Sequence, residues 1–336
     1  MVMLTKLTRW LGLFCISLFL AVACQQNAPQ SELSQDPITI AYSPWSGYYP
    51  LTIALEKGFF AEQGIAIEPD FDKDYIGQID AFRNGKHDGI LIALGSVLNI
   101  LEKTPDVQVI LVVNVSEGGD AVVARPEIKT VQDLKGKVIG TRLGDFGELL
   151  VREMLKQNNI SVEDVKIVNI RTEDLAAKLS DGTIDAGQGW EPYPTQAVNA
   201  GHHIIFDSSQ TPGLIPDVLV MRRSVVQERP EELKALLKAW FQAQNYWLEN
   251  PEEVRDIVTA ALDLKPDEVS FEGIELPDLE RNLEIMTPGD TTDSLHFTAQ
   301  LYTDFFAANG VINTPPNLET LINPAILKAL QTETES

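Results

Sequence analysis

Short apolar runs alternate with helical patterns along most of the chain, and this alternation sets narrow limits on the fold. Strands are predicted at 38–42, 65–68, 89–93 and 107–115, and helices at 50–58 and 76–83. A second alternation follows, with strands at 138–140, 165–170, from 185 and at 203–206, and helices at 148–156 and 173–179. Strands that alternate with helices are typical of parallel sheets. The sequence therefore predicts an α/β protein with two such units and a helical C-terminal part.

Two apolar patterns predict the interior of the fold. The run 107–115 (VQVILVVNV) is almost continuous in β-branched residues, which favours a parallel strand covered on both faces. Leu233, Leu236 and Trp240 keep helical spacing on one face. Trp240 and Trp247 are therefore predicted to lie in the core.

The N-terminus has the pattern of a secretory signal peptide over residues 1–23. Lys6 and Arg9 form a basic region, and a mostly apolar run of residues 10–23 follows them. This run is shorter than the roughly 20 apolar residues that a spanning helix needs.

Cys24 directly follows small residues in the segment Ala21–Val22–Ala23, which resembles the lipobox of bacterial lipoproteins. The pattern predicts a lipid on Cys24; the alternative is an ordinary cleavage site with an incidental cysteine. Residues 24–36 are polar and suit a flexible tether. We expect a protein anchored by lipid at the periplasmic or extracellular face of a bacterial membrane. Cys15 is the only other cysteine, so the mature chain is predicted to lack disulfides and cysteine-based metal sites.

Charge and motifs exclude several classes of function. The chain carries a formal net charge of −23, and residues 1–23 contribute cations only. Such an acidic body lacks the electrostatic footprint of a nucleic-acid-binding protein. The sequence shows no phosphate loop, nucleophile elbow or metal-ligand spacing. We therefore predict no cofactor, no metal and no catalytic residue, and a monomer whose partner is a small-molecule ligand.

The segment 43–50 (SPWSGYYP), followed by 56–60 (EKGFF), resembles the first strand, loop and helix of a known class of proteins. This class is that of the nitrate, sulfonate and taurine substrate-binding proteins of ABC transporters, and it includes binders of a pyrimidine precursor of thiamine. Further similar segments are 131–137, 185–193 and 207–217. The resemblance covers nearly all of residues 37–330 in the same order.

The resemblance implies the two-lobe type II periplasmic-binding fold, with mostly parallel sheets and a cleft between the lobes. Crossings near Asp120 and Asp217 place 37–120 plus 218–330 in lobe one and 121–217 in lobe two. Lobe closure would capture a small nitrogen- or sulfur-containing solute. The implied partners are an ABC permease and an ATPase. A ligand-sensing adaptor and a pathway enzyme on the same fold are the alternatives.

Ligands of open α/β sheets bind beyond the carboxyl ends of the strands, so five strand-to-helix loops supply the candidate site. The candidates, from these loops and the second crossing, are Ser43, Trp45, Tyr48, Tyr49, Gly95, Ser96, Glu117, Asp120, Asp145, Phe146, Trp190, Glu191 and Asp217. Trp190 resembles a ligand contact of the family. Three alternatives stay open: the first loop is a hydrophobic staple, Ser96 and Asp145 are helix caps with Glu148 as the capping-box partner of Asp145, and Glu117 and Asp120 belong to a hinge turn.

The five loops carry more carboxylates than cations. Their acids are Glu117, Asp120, Asp145, Glu148 and Glu191, against the single cation Arg142. Aromatic faces combined with carboxylates suit a cationic nitrogen. We therefore hypothesise a cation held by Trp45, Trp190 and Asp120. An oxyanion held at helix N-termini is the competing expectation.

Overall fold

The computed structural model describes residues 36–101 and 103–334. Its strands are β1 (Ile38–Tyr42), β2 (Ile67–Phe71), β3 (Gly89–Ala93), β4 (Val107–Ser116), β5 (Asp120–Ala124), β6 (Val138–Thr141), β7 (Lys166–Asn169), β8 (Ala186–Trp190), β9 (His203–Asp207), β10 (Pro216–Arg222) and β11 (Ile274–Glu275). Its helices are α1 (Tyr49–Glu56), α2 (Phe59–Glu62), α3 (Tyr75–Arg83), α4 (Leu94–Leu101), α5 (Phe146–Gln157), α6 (Leu175–Ser180), α7 (Tyr193–Asn199), α8 (Arg223–Glu228), α9 (Pro230–Glu249), α10 (Pro251–Ala261), α11 (Leu279–Ile285), α12 (Leu295–Ala308), α13 (Leu318–Leu321) and α14 (Ala325–Thr334).

The N-terminal predictions fall outside the described residues. They are the signal peptide, the lipid on Cys24 and all but the last residue of the tether. Among the helices of residues 36–101 and 103–334, none has both the length and the apolar character needed to cross a membrane.

The strands form two sheets with the same internal order. The first sheet runs β11-β4-β10-β3-β1-β2, and the second runs β7-β6-β8-β5-β9. In the first, β1 to β4 point the same way and β10 lies antiparallel between β3 and β4. In the second, β6 to β9 point the same way and β5 lies antiparallel between β8 and β9. The predicted fold class, an α/β protein with two mostly parallel sheets, is confirmed.

The inserted strand of each sheet is the first one that the chain forms after it changes sheets. The chain leaves the first sheet after Ser116 and enters the second at Asp120, and it returns between Asp207 and Pro216. Register then fixes two neighbours, because Asp120 lies opposite Trp190 and Asp217 lies opposite Ala93. Both inserted strands thus bring a carboxylate to the edge where their sheets' strand-to-helix loops begin.

The prediction for β4 was correct about its burial and wrong about the direction of its neighbouring strands. The strand is buried along its whole length, as its apolar run indicates. Both of its neighbours, however, are antiparallel to it: β10 on one side and β11 on the other. The inserted strand separates β4 from its parallel partner β3, and no local pattern in β4 reports this.

Helices pack on the sheets, and each sheet with its helices forms a hydrophobic core. The long helix α9 packs against α1, with Leu233, Leu236 and Trp240 buried. Trp247 is also buried, as predicted. The second sheet has its own core, made by Val123, Ile170, Leu175, Leu179, Ile184 and Ala197.

Candidate functional site

A small cavity lies where the loops of the two sheets meet. Its volume is about 20 Å³. The residues that line it are Ser43, Pro44, Trp45, Tyr48, Tyr75, Ala93, Asp120, Phe146, Trp190, Ile215 and Asp217. This volume is close to that of a single water site and far below the roughly 300–1,000 Å³ of most small-molecule pockets. An organic solute therefore needs the lining rings to move apart before it enters.

Asp217 lies on β10, at the floor of the cavity, and is held from two directions. The Tyr48 hydroxyl donates to its Oδ1 atom at 2.6 Å, and Asn114 Nδ2 donates to Oδ2 at 3.0 Å. Asn114 Oδ1 in turn accepts from Trp45 Nε1 at 2.8 Å. Burial raises the pKa of Asp217 to about 7, while the hydrogen bonds from Tyr48 and Asn114 act against this rise.

Asp120 begins β5 in the other sheet and is equally buried. Gln188 Nε2 donates to its Oδ1 atom at 3.2 Å, and its backbone N–H donates to Ser116 Oγ at 3.1 Å. Burial is the largest cause that raises the pKa of Asp120 to about 8. The charges of Asp217, Glu191 and Asp145 raise it further. Each sheet thus contributes one desolvated carboxyl group to the same cavity.

Aromatic rings form most of the remaining wall. Trp190 contacts Tyr75 with ring centroids 5.7 Å apart and Phe146 at 5.5 Å, and both pairs are tilted. Tyr193 packs on Trp190 edge-on at 6.3 Å. These separations lie in the range of favourable aromatic pairs, so the rings support one another in the closed arrangement.

Beside the cavity, α4 of the first sheet contacts the start of α5 of the second. Tyr75 donates from its hydroxyl to Ser96 Oγ at 2.9 Å, and Ser96 donates to Asp145 Oδ1 at 2.7 Å. Asn99 Nδ2 donates to the Gly144 carbonyl at 2.8 Å. Arg142 pairs with Asp145, with 3.3 Å between Nε and Oδ2. The two sheets are therefore bridged directly by side chains of the protein itself.

Asp145 caps α5, although not as the predicted capping box. Its Oδ1 atom accepts the backbone N–H of Phe146, the first residue of the helix, at 2.9 Å. Glu148 reaches back to the Gly144 N–H at 2.8 Å rather than to the N–H of Asp145. Glu148 also pairs with Arg152 at 2.7 Å on the same helix. The Asp145 carboxylate therefore occupies the N-terminus of α5.

Seven of the thirteen candidate residues line the cavity, and six lie around it. Those that line it are Ser43, Trp45, Tyr48, Asp120, Phe146, Trp190 and Asp217. Ser96 and Asp145 make the contact between α4 and α5. Gly95 packs against Phe146 and Tyr302, and Tyr49 packs against Trp247 and Phe271.

The two remaining candidates border two other recesses. Glu191 borders a pocket of about 10 Å³ beside Trp45, where its Oε1 atom accepts from Thr195 at 2.9 Å. Glu117 is exposed and borders a recess of about 70 Å³ that includes Arg281. Neither carboxylate thus forms part of the wall of the cavity.

Sequence reasoning missed Tyr75 and Asn114. The strand predicted at 65–68 is in fact β2 at Ile67–Phe71, so Tyr75 begins a helix directly beyond a strand end. This strand-to-helix loop was a sixth candidate by the same rule, and the prediction left it out. Asn114 is the single amide near the end of the apolar run in β4, and a fully buried amide there needs polar partners.

The arrangement suits binding of a small polar group among aromatic faces. Two carboxyl groups with raised pKa values can accept hydrogen bonds from a ligand or neutralise its charge, and ring faces attract cations. Within the described ranges, no group of three His, Cys, Asp or Glu side chains has the geometry to hold a metal ion.

Comparison with known proteins gives one family match. The model of the family described as NMT1/THI5 like matches residues 45–254. Among curated relatives, the formylaminopyrimidine-binding protein of Halalkalibacterium halodurans is 25% identical over 260 residues, which cover 72% of this chain and 77% of that protein.

Solved structures with the same fold include transport proteins and an enzyme. The ligand-binding component of an ABC-type import system from Staphylococcus aureus aligns with a TM-score of 0.71 at 16% identity, covering 88% of this chain and 98% of that one. The periplasmic aliphatic sulphonate binding protein SsuA from Escherichia coli aligns with a TM-score of 0.72 at 15% identity, covering 86% and 92%. The desulfurization enzyme DSZB aligns at 0.67 and 18% identity, covering 88% and 99%. At these identities the likeness shows a shared fold.

Proposed function

This chain belongs to the NMT1/THI5-like family, and on that premise we propose that it is the substrate-binding component of an ABC-type importer. It captures a small organic solute between its two sheets and presents it to a permease that is driven by an ATPase. The observation that carries the proposal is the buried cavity at the meeting of the two sheets, walled by aromatic rings and by one carboxyl group from each sheet. The names of the relatives, a formylaminopyrimidine-binding protein and an import component among them, support the same reading.

The division into two lobes follows from the crossings between the sheets. We take the first sheet with its helices as lobe one and the second sheet with its helices as lobe two, with the links after Ser116 and after Asp207 as the hinge. This division is close to the predicted one, 37–120 plus 218–330 and 121–217, except that Asp120 belongs to lobe two and Asp217 to lobe one. In this scheme the solute enters when the lobes separate and is enclosed when they close. The thirteen candidate residues are proposed to act in this closure or in contact with the solute.

The location of the protein follows from the same role. An importer's binding component works on the outer side of the cytoplasmic membrane, in the periplasm or at the cell surface. We propose that cleavage after residue 23 leaves Cys24 as a lipid-bearing N-terminus. The polar residues that follow would then tether the acidic body to the membrane, and the protein would act as a monomer.

Ligand screening by thermal shift tests the proposed function. The screen covers amines, pyrimidines, sulfonates and nitrate. A ligand at 100 times its Kd adds about 2.7 kcal/mol to stability, which raises the Tm of a protein of this size by several degrees. We expect at least one of these classes to do so. A protein that responds to none of them is not a binding component for such solutes.

A catalytic role on the same fold, as in DSZB, is the second candidate. The two functions differ in what happens to a bound compound. Incubating the protein with the best ligand for hours and recording proton NMR spectra separates them. We expect the ligand to be recovered unchanged, whereas progressive conversion would establish an enzyme.

A further inference from the structure

The ionisable residues in the cavity wall carry only one sign of charge. Asp120 is 2% exposed and Asp217 is 4% exposed, and both line the cavity. Among the described residues that line it, none is Lys, Arg or His. The cation next to the cavity, Arg142, lies 5.4 Å from the centroid of the Tyr75 ring and is paired with Asp145. An anion placed between Asp120 and Asp217 would therefore meet two carboxyl groups and no compensating charge.

One group of donors that could receive an oxyanion at this edge is already used. The N-terminus of α5 is the natural anion site of the second sheet, since its unpaired N–H groups and its dipole favour negative charge. Asp145 takes that position, accepting the Phe146 N–H at 2.9 Å and the Ser96 hydroxyl at 2.7 Å. The protein thus fills its own anion site with a side chain.

We propose that the captured solute is a cation whose charge lies on nitrogen, and that Asp120 and Asp217 neutralise it among the faces of the aromatic rings. This inference names the ligand class of the cavity and rests on the proposed function. A charged nitrogen is attracted both by ring faces and by a desolvated carboxylate. Planar heterocyclic cations and quaternary amines both have this chemistry.

One rival arrangement uses the same carboxyl groups in their neutral form. Burial and the nearby charges of Asp217, Glu191 and Asp145 raise the pKa of Asp120, so its protonated form could donate a hydrogen bond to an oxyanion. Around it, Tyr48 and Tyr302 also have raised pKa values and stay neutral, and Arg142 is held by Asp145. The two arrangements respond oppositely to pH, because a cation expels the proton of Asp120 whereas an oxyanion needs it.

Calorimetry with charge-matched probes tests the proposal on the full mature chain. The cationic probes are choline and 4-amino-5-aminomethyl-2-methylpyrimidine, the neutral isostere of choline is 3,3-dimethyl-1-butanol, and the anions are ethanesulfonate and nitrate. Titrations at pH 6 and pH 8, in two buffers of different ionisation enthalpy, report whether binding releases or takes up protons. We expect a cationic probe to bind, to release protons, and to bind more tightly at pH 8 than at pH 6.

Asp120→Asn and Asp256→Asn form a matched pair of variants. The first removes the charge in the cavity, and the second removes one from an exposed position on α10. We expect Asp120→Asn to weaken binding of the cation by roughly tenfold or more, and Asp256→Asn to leave it unchanged. The loss should persist in 0.5 M salt, which screens the general attraction of an acidic surface.

Each result other than the expected ones contradicts a defined part of the proposal. Tighter binding of ethanesulfonate or nitrate than of either cation, or proton uptake on binding, overturns the proposed charge while leaving the importer function intact. Equal binding of choline and its neutral isostere also overturns it. If Asp120→Asn does not fold, the proton release measured on the natural protein still decides the question. A protein that binds no probe of either charge contradicts the importer function and, with it, this inference.

Discussion

Asp120 and Asp217 are buried although a carboxylate is costly to remove from water. The fold responds by raising the pKa of both groups, to about 8 and about 7, chiefly through burial. In the unfolded chain an aspartate titrates near 3.9. Between these values the folded protein binds more protons than the unfolded chain, so its stability falls as the pH rises.

This difference gives a first prediction, on the pH dependence of stability without added ligand. From pH 5 to pH 8, Asp120 should remove up to about 1.4 kcal/mol of stability per pH unit. Asp120→Asn should therefore gain stability over the natural protein as the pH rises, by roughly 2–3 °C in Tm per unit. Thermal unfolding at four pH values measures this difference.

His202 also titrates in this pH range and must be separated from the effect of Asp120. Its pKa is lowered, first by burial, so it acts in the opposite direction within the same range. Because His202 is present in both proteins, its contribution cancels in the difference between them. A difference in Tm that stays constant from pH 5 to pH 8 would show that Asp120 keeps an ordinary pKa.

Part of the cavity could be predicted from single residues, and part could not. Trp45 and Asp120 follow from the rule that ligands sit beyond strand ends. Tyr75 was missed because the loop between the strand predicted at 65–68 and the helix predicted at 76–83 was not included among the candidate loops. The pairing of Asn114 with both Trp45 and Asp217 depends on side chains that are 69 and 103 residues away in sequence. No local pattern reports such a contact.

At the scale of elements, the first link between the sheets, after Ser116, is braced by the segment that leads into β11. The carbonyl of Gly273 accepts the Glu117 N–H at 2.8 Å and the Gly119 N–H at 2.9 Å. Gly273 has φ +78, and a Cβ atom there would lie 2.4 Å from the Gly119 nitrogen. The brace therefore needs a residue without a side chain at this position.

The second prediction compares two glycine substitutions with similar backbone geometry. Gly273→Ala meets both left-handed strain and a backbone clash, and should cost about 3 kcal/mol or more of unfolding free energy. Gly310→Ala has φ +69 with nothing within 4 Å of the added Cβ, so it should cost only about 1 kcal/mol. Urea unfolding measures both values. Equal costs would mean that the contact with Gly119 contributes nothing.

Most strands of the two α/β units were predictable because each carries its own periodicity or apolar run, but β5, β10 and β11 were not predicted. What could not be predicted was the exchange of strands between the sheets. β10 enters the first sheet between β3 and β4 after about 90 residues spent in the second sheet. The apolar pattern of β10 would suit either sheet. The prediction for β4 therefore did not include β10 as its antiparallel neighbour.

At the scale of the whole molecule, the two sheets are joined by contacts that belong to the protein alone. Ser96 and Asn99 on α4 bond the loop before α5. Arg152 on α5 lies over the Phe305 ring of α12, with its guanidinium carbon 5.4 Å from the centroid. These contacts favour the closed arrangement before any solute is considered, and opening must break them.

The third prediction concerns the radius of gyration. We expect small-angle scattering to give a smaller radius with a saturating ligand than without one. The double variant Ser96→Ala/Asn99→Ala should widen this gap, because it removes two bonds between the sheets from the unliganded form. Asn309→Ala serves as the control, since its amide donates to the Phe305 carbonyl at the end of α12 and bridges no other element. A radius that is the same in all forms would contradict closure.

The fourth prediction concerns the N-terminus, which lies outside the described residues. In a bacterial host, the natural chain should fractionate with membranes, because a lipid on Cys24 would hold it there. Cys24→Ala should release the body into the soluble fraction. Cys15→Ala, within the predicted signal peptide, should not change the fractionation. A natural chain that is already fully soluble would exclude the lipid.

The carboxylate of Asp145 at the start of α5 has a consequence for how such proteins diversify. It accepts the Phe146 N–H and the Ser96 hydroxyl, so an anion from solution would have to displace it from both donors. Loss of this single side chain would therefore free an anion site at the start of α5 without rebuilding the sheets or the hinge, although a full exchange of ligand charge would also require the loss of the Asp120 and Asp217 carboxyl groups. Asp145→Ser would reproduce this change in the laboratory. Comparing the affinity of the variant for anions and for cations would show how far one substitution changes the preference for ligand charge.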